Sequence, residues 1–294
     1  MIACSTCGTE NRDGAKFCQA CGSPLPTSSP FARGVWLSTG FRSVKGTDCA
    51  VNQDSLLALT VTPLYEGQPA PALGLFAVAD GIGERHAGEV ASRLTIQTVV
   101  QEVISRVLVA ELSGEACLEE TLVAVVREGI EDANARVCAA AQASGTDLGS
   151  TIVAALVRND LAVIANVGDS RAYHRHEGTL SQVTTDHSVV ERLLATGQIP
   201  PEEAASHPQR GVLYRSLGDK PTVEVDTFSL KLAPGDRLLL CCDGAWRGLQ
   251  DEGLKEVMSS EHDPQQISDE VIHRALKAGT TDNVSVIVVG VADQ

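Results

Sequence analysis

Positive charge is scarce in this chain. Over 294 residues, 23 Lys and Arg stand against 38 Asp and Glu, for a net charge of −15 and a pI near 4.8. So acidic a surface argues against general binding to nucleic acid or to an anionic membrane. Long apolar runs are missing too: nothing approaches the ~18 residues of a membrane span, and VSVIVVGVA is too short. The opening MIACSTC has neither a basic flank nor an apolar core, so no secretory leader is expected. A disulfide framework is also absent from the pattern. Of nine cysteines, four cluster at the start, while Cys49, Cys117, Cys138, Cys241 and Cys242 read as scattered small apolar residues. That distribution suits a reducing cytoplasm. What remains, 43% hydrophobic residues and a mean hydropathy of +0.02, is the composition of a folded chain of one or two domains.

Three apolar runs each meet a lone aspartate. LFAVAD ends at Asp80, LLLCCD ends at Asp243, and Asp282 stands just ahead of VSVIVV. Runs of this length bounded by Gly or Asn predict buried strands, which places each carboxylate at a strand terminus. If the strands are neighbours, the acids converge. An unpaired cluster would repel itself and raise its own pKa values, and a divalent cation removes that penalty. With no His or Cys nearby, the oxygen donors favour Mg or Mn over Zn. The alternative is that Asp–Gly here only makes turns.

Residues 4 to 22 carry two Cys-x-x-Cys-Gly units. Cys4, Cys7, Cys18 and Cys21 can supply four thiolates to one tetrahedral zinc, with Gly8 and Gly22 allowing each knuckle to turn and aim N–H groups at the sulfurs. A segment this short has no core, so the metal must supply its folding free energy. Disulfide pairing and a redox site are the competing readings. The spacing resembles the small zinc ribbons of bacterial proteins. With Arg12 and Lys16 as its basic residues, the ribbon suits protein docking better than DNA contact. SPLPTSSP (Ser23 to Pro30) then reads as an extended linker. The division is a ribbon over 1–24, a linker over 25–34 and a main domain over 35–292.

In the main domain, strands are expected at Leu56–Thr62, Gly74–Ala79, Val223–Leu230, Arg237–Cys242 and Val284–Gly290, with three more in TIVAALV, LAVIANV and RAYH. Helical stripes run from Ile96 to Leu108 and from Leu118 to Val137. Short helices are expected around Ser188–Ala195 and Pro201–Ala205, and a helix pair between Cys242 and Val284. Paired helices and strand meanders predict an α+β fold with antiparallel sheets.

In order, NQDS (Asn52 to Ser55), VADGIGERHAGEVAS (Val78 to Ser92), GST (Gly149 to Thr151), NVGDSRAY (Asn166 to Tyr173), TTDHS (Thr184 to Ser188), SHPQR (Ser206 to Arg210), LLLCCDG and TTDNVSVIVV closely resemble the metal-dependent PPM, or type 2C, serine/threonine protein phosphatases. The resemblance covers roughly residues 35 to 291. It implies a sandwich of two antiparallel β-sheets flanked by helix pairs, with two Mn or Mg ions, and in some members a third, at one end. By matching position, Asp80 would bridge the ions, the Gly81 carbonyl would ligate one, and Asp243 and Asp282 would complete the first ion's ligands. Asp54 would orient water at the centre for direct attack on phosphorus. Asp169 and Arg171 would hold the sheet edge and the acids in place. His187 would cap or pack a helix, residues 200–210 would border the site as a flap, and Asp147 lies near where some members carry an acid for the third ion. Partners implied are phosphoproteins, including a serine/threonine kinase or its substrates, in cytoplasmic signalling.

The chain departs from that pattern at four places. Cys49 occupies the position of a phosphate-pairing arginine, with Arg42 and Lys45 as possible substitutes. Gln53 replaces an acid, Glu84 replaces a glycine and adds charge, and Ile82 cannot protonate a leaving group. A second reading follows from these changes: a weakly active phosphoprotein-binding scaffold or sensor, docked through its ribbon.

Overall fold

The computed structural model describes residues 2–4, 6–12, 15, 17–23, 35–61, 64–65, 68–69, 72–84, 86–113 and 117–293. The whole of the expected linker, 25–34, lies outside these residues, as do Lys16 and the C-terminal end of the Leu56–Thr62 strand.

Two five-stranded antiparallel sheets form the body. The first runs Asp226–Lys231, Leu161–Val167, Ile152–Arg158, Leu73–Ala79, Ser55–Val61. The second runs Thr179–Gln182, Arg171–His176, Arg237–Cys241, Val284–Asp293, Val35–Val44. Strand Leu73–Ala79 shows why its sequence is continuously apolar. Leu75 and Ala77 face the helices Ala87–Val103 and Glu119–Ser144, packing with Val99, Val126 and Ile130. Phe76 and Val78 face the second sheet, packing with Leu238, Leu240 and Ile287. Both faces are covered, so no position can be polar. The second sheet repeats this outward: Leu239, Val286 and Val288 pack on Leu254, Val257, Ile267 and Val271 of helices Asp243–Met258 and Pro264–Lys277. Each such side chain contributes roughly 1.5–3 kcal/mol by leaving water. The result is four layers, helix pair, sheet, sheet, helix pair.

Several elements differ from expectation. Strand Val35–Val44 was not expected at all. It lies at the edge of the second sheet, paired from Val35↔Asp293 to Val44↔Val284, and only Val35 and Gly40 in it are buried, so its composition is half polar. Thr179–Gln182 is likewise a mostly exposed edge strand. The stripe from Ile96 to Leu108 is not one uniform helix, because Ile104–Leu108 widens into a π-helical turn. Strand Val223–Leu230 begins later, at Asp226. Cys242 leaves its strand to cap a helix, and Asp243 is the first residue of Asp243–Met258 rather than part of a turn. A carboxylate there meets the positive end of the helix dipole.

The glycines after the aspartates also differ from simple turn residues. Neither Gly81 nor Gly244 has a positive φ. A Cβ on Gly81 would lie 2.1 Å from the Gly88 carbonyl oxygen, and one on Gly244 would lie 2.1 Å from the Asn283 carbonyl oxygen. Gly244 thus lets the helix carrying Asp243 seat against the strand entry carrying Asp282. Gly244→Ala is expected to destabilise the protein by at least about 2 kcal/mol, since a backbone atom cannot yield as a side chain would. An unchanged thermal midpoint would refute this close-approach role.

Candidate metal centre

One end of the sandwich holds a cleft of about 400 Å³ into which Asp80, Asp169, Asp243 and Asp282 all project. Each arrives from a different element. Asp80 follows Leu73–Ala79, and its backbone is fixed by Asp80 N–H donating to Thr151 Oγ1 (3.1 Å) and Thr151 N–H donating to the Asp80 carbonyl (2.8 Å). Asp169 follows Leu161–Val167 through Gly168, whose φ of 108° only glycine adopts easily. Asp243 opens its helix. Asp282 precedes Val284–Asp293, exposed at the rim, its Oδ1 accepting from Asn283 N–H at 2.8 Å.

Burial and mutual repulsion set the electrostatics. Loss of hydration pushes Asp54 up to about 7, with the charges of Asp243 and Asp282 adding to it. The same loss, then the charge of Asp243, lifts Asp169 to about 7 against the pull of Arg247. Asp80 is raised well above the carboxylate range by burial and then by Asp54 and Asp243. Asp243 is raised by burial, opposed by Arg247, with the charge of Asp282 adding to the rise. Both carboxylate oxygens of Asp54, and Oδ1 of Asp243, are buried without a hydrogen-bond partner. Such atoms are expensive unless a cation or water satisfies them. An all-oxygen donor set with orphaned buried carboxylates fits hard divalent cations. Asp80, Asp243 and Asp282 nonetheless do not gather with all their ligand oxygens within 4.8 Å, as the ribbon sulfurs do.

Arg247 was missed in the sequence, and it is the cation that touches these acids. Its Nη1 donates to Asp243 Oδ2 at 2.8 Å, and its Nη2 donates to Asp169 Oδ2 at 2.8 Å and to the Arg210 carbonyl at 3.1 Å. The readable signal was its spacing: four residues after Asp243 on one helix, one turn along the same face. Asp169 is therefore a cleft acid as well as a brace. Arg171 does brace, bonding Asp186 with Nε (2.9 Å) and Nη2 (2.8 Å) and stacking 3.5 Å over Trp246.

The other singled-out residues fall as follows. Cys49 Sγ lies 3.6 Å from Asp282 Oδ1, and burial followed by that charge raises its pKa, so it brings no charge to the rim. Arg42 pairs with Asp269 at 3.8 Å and does not line the cleft, and Lys45 is exposed. Gln53 lines the cleft and donates Nε2–H to the Gly83 carbonyl at 3.1 Å, a bond a glutamate could not make. Ile82 lies at the lip, 41% exposed. Glu84 and Asp147 are exposed and outside the cleft. Ser188 is the helix cap, while His187 is buried, accepting from Gly168 N–H at 3.0 Å and contacting Asp226 and Arg215. The stretch just after the expected flap, through Gly211, Leu213 and Ser216, lines the cleft.

In the ribbon, Cys4 Sγ and Cys21 Sγ are 3.6 Å apart and Cys7 Sγ and Cys18 Sγ 3.5 Å, and all four are free thiols. Tetrahedral Zn–S bonds of 2.3 Å put sulfurs ~3.8 Å apart, so the set fits one zinc. Gly8 and Gly22 have φ of 73° and 69°, as the knuckles require. N–H groups aimed at Cys18, chiefly that of Cys21, lower its thiol to about 6.

A helix–sheet–sheet–helix sandwich with an oxygen-lined acidic cleft at one end is the architecture expected of the metal-dependent PPM phosphatases. The protein phosphatase 2C family profile matches residues 48–278, and a zinc-ribbon domain profile matches residues 4–25. The chain is 36% identical over 214 residues to the serine/threonine phosphatase stp of Listeria innocua, covering 72% of this chain and 82% of that protein. It is 34% identical over 252 residues to the serine/threonine protein phosphatase PstP of Mycobacterium tuberculosis, covering 86% of this chain and 44% of that longer protein. The crystal structure of PstP superposes with a TM-score of 0.73 at 31% identity, covering 87% and 99% of the two chains. A PstP catalytic domain described in complex with two manganese ions superposes at 0.71 and 30% identity, covering 88% and 100%. The chain belongs to the protein phosphatase 2C family and is a phosphoprotein phosphatase carrying an N-terminal zinc ribbon.

The raised carboxyl pKa values carry a sign. The folded state holds protons that the unfolded state releases, so this contribution to stability is full below the ordinary carboxylate range and is lost as pH rises through about 7 for Asp54 and Asp169. With the ribbon zinc-loaded and the cleft metal-free, the thermal midpoint should fall between about pH 5 and pH 8 from these groups. Saturating Mn²⁺ should recover about 5 °C or more at pH 8 and much less at pH 5. A manganese shift independent of pH would show that the acids are not a proton-sharing cluster.

Proposed function

We propose that the chain hydrolyses phosphoserine and phosphothreonine in proteins at a two-metal centre held by Asp80, Asp243, Asp282 and the Gly81 carbonyl. The observation that carries this reading is the convergence of Asp80, Asp243 and Asp282 on one cleft, with Asp243 Oδ1 buried and partner-less there and Asp54, both its oxygens equally unsatisfied, near enough for its charge to act on Asp80. Bound there, a pair of Mn²⁺ or Mg²⁺ ions would neutralise phosphoryl charge and lower the pKa of water. The chain's own groups do the remaining work. Asp80, Asp243 and Asp282 all line the cleft, Asp282 at its exposed edge, where they would hold the ions. The two free oxygens of Asp54 are acceptors suited to orienting a water for in-line attack and taking its proton. Gly81, wedged against Gly88 and Gln53, holds its carbonyl in a fixed direction. No cysteine is placed to act as nucleophile: Cys242 is buried with its pKa raised well above that of a free thiol, and burial raises Cys49.

The domain division in this reading is a docking ribbon over 1–24, a linker over 25–34 and a catalytic domain over 35–292. Phe17, 64% exposed, supports protein docking by the ribbon. The partner class is a serine/threonine kinase or its phosphorylated substrates. No described helix is long and apolar enough to cross a membrane, and a cytoplasmic setting suits the free thiols. The scaffold alternative draws on uncharged Cys49 and on Arg247 holding Asp243.

Activity on a phosphothreonine peptide with Mn²⁺ separates the two readings. The parent should turn over, and Asp243→Asn should lose at least ~100-fold in kcat. Equal rates in both would leave the scaffold. Cys49→Arg places a bidentate donor beside Asp282 and should lower KM for the phosphopeptide several-fold with little change in kcat. A raised or unchanged KM would show that another residue already holds the phosphate.

A further inference from the structure

At the end of the sandwich remote from the acidic cleft, a second set of donors converges. His174 and His176 stand two apart on strand Arg171–His176, so both rings leave the same face of the sheet. That face is the one carrying Ala172 into the space between the sheets. Asp236 immediately precedes the neighbouring strand, in which Arg237 pairs with Arg175 and Leu238 with His174. Its side chain therefore rises between the two rings. His174 Nε2 lies 2.9 Å from Asp236 Oδ2 and His176 Nδ1 lies 2.8 Å from Asp236 Oδ1. One ligand atom from each of the three residues lies within 4.8 Å of the others. The opposite end of the strand, Arg171, pairs with Cys241 two residues before Asp243. Five residues of strand, about 16 Å, separate the two ends.

The cluster is built rather than incidental. Asp236 is 3% exposed and its turn is tied down three ways: Ala233 N–H donates to its Oδ2 (2.9 Å), its own N–H donates to the Ala233 carbonyl (3.0 Å), and Val291 N–H donates to its carbonyl (3.0 Å). The nearby cations are occupied elsewhere. Arg237 points its guanidinium at the carbonyls of Met258, Ser260 and His262, and Arg175 donates to the Gly235 carbonyl. His176 is half-exposed, which leaves an approach from solvent.

We propose that His174, His176 and Asp236 form a third kind of metal site, selective for a late divalent transition ion such as Zn²⁺ or Ni²⁺. Two imidazoles and a carboxylate suit such ions, and they discriminate against the Mg²⁺ or Mn²⁺ expected of the all-oxygen cleft. The ion would replace the contacts between the two rings and Asp236, each imidazole ligating through the nitrogen that faces Asp236 and carrying its proton on the other, and water would complete its coordination. Its effect is structural: it clamps the strand Arg171–His176 to the turn that launches Arg237–Cys241, the strand leading to Asp243.

The test uses the full chain with the ribbon zinc-loaded and the cleft saturated with excess Mg²⁺, titrated calorimetrically with Ni²⁺. One further equivalent should bind and raise the thermal midpoint. In His174→Ala/His176→Ala that equivalent should vanish, with ribbon zinc and phosphatase rate unchanged. Because His174 is largely buried, His176→Ala alone serves as the mild variant, and it should weaken Ni²⁺ at least ~10-fold. Cu²⁺ in place of Ni²⁺ should show an EPR pattern of two imidazole nitrogens. The same Ni²⁺ stoichiometry and affinity in the parent and in His176→Ala, or no additional equivalent in the parent, would overturn the proposal.

Discussion

Carboxylates held together out of water repel each other and lose hydration, and they can stay ionised only beside positive charge. The active end of this protein is organised around that constraint. Asp54, Asp80, Asp169 and Asp243 are each lifted above the ordinary carboxylate range by burial and by the charge of neighbouring acids. The fold supplies a single arginine to two of them, Arg247, and leaves three buried oxygens with nothing to bond. A cleft in that condition is poised for divalent cations, because binding them removes repulsion and unsatisfied acceptors together.

Rigidity makes the constraint tolerable. The acids are delivered by strand ends and a helix start embedded in a core covered on every sheet face, so they cannot swing apart to relieve their repulsion. Glycines set the final spacing. Gly81 against Gly88, and Gly244 against Asn283, let backbone meet backbone where any side chain would hold the elements apart. Arg247 adds a further tie, joining Asp243, Asp169 and the carbonyl of Arg210 at the end of the flap segment. The cleft's charge and its covering segment are thereby linked through one guanidinium.

Donor chemistry is sorted by location. Four sulfurs sit in the ribbon, oxygens line the cleft, and two imidazoles with a carboxylate stand at the far rim. Soft, hard and intermediate ligand sets so separated give each region its own metal preference in the presence of the others. A ribbon loaded with zinc can therefore coexist with a hard-cation cleft without exchanging ions with it.

Much of this was legible in the residues. The ribbon cysteines could be read because Cys-x-x-Cys-Gly encodes its own local geometry, and the three aspartates could be read because each interrupts an apolar run at its end. Central strands such as Leu73–Ala79 were visible because two-sided burial forbids polar residues. Edge strand Val35–Val44 was not, since one exposed side and a half-polar pattern carry no periodic signal. The glycines following the acids looked like turn formers, and only the packing of Gly244 on Asn283 revealed close approach. The reach of Arg247 to Asp169 and the joining of Asp236 to His174 and His176 were equally hidden, because those partners lie in other elements. Local patterns record what each segment must bury, whereas the meeting of charges from distant segments depends on how strands register and pack.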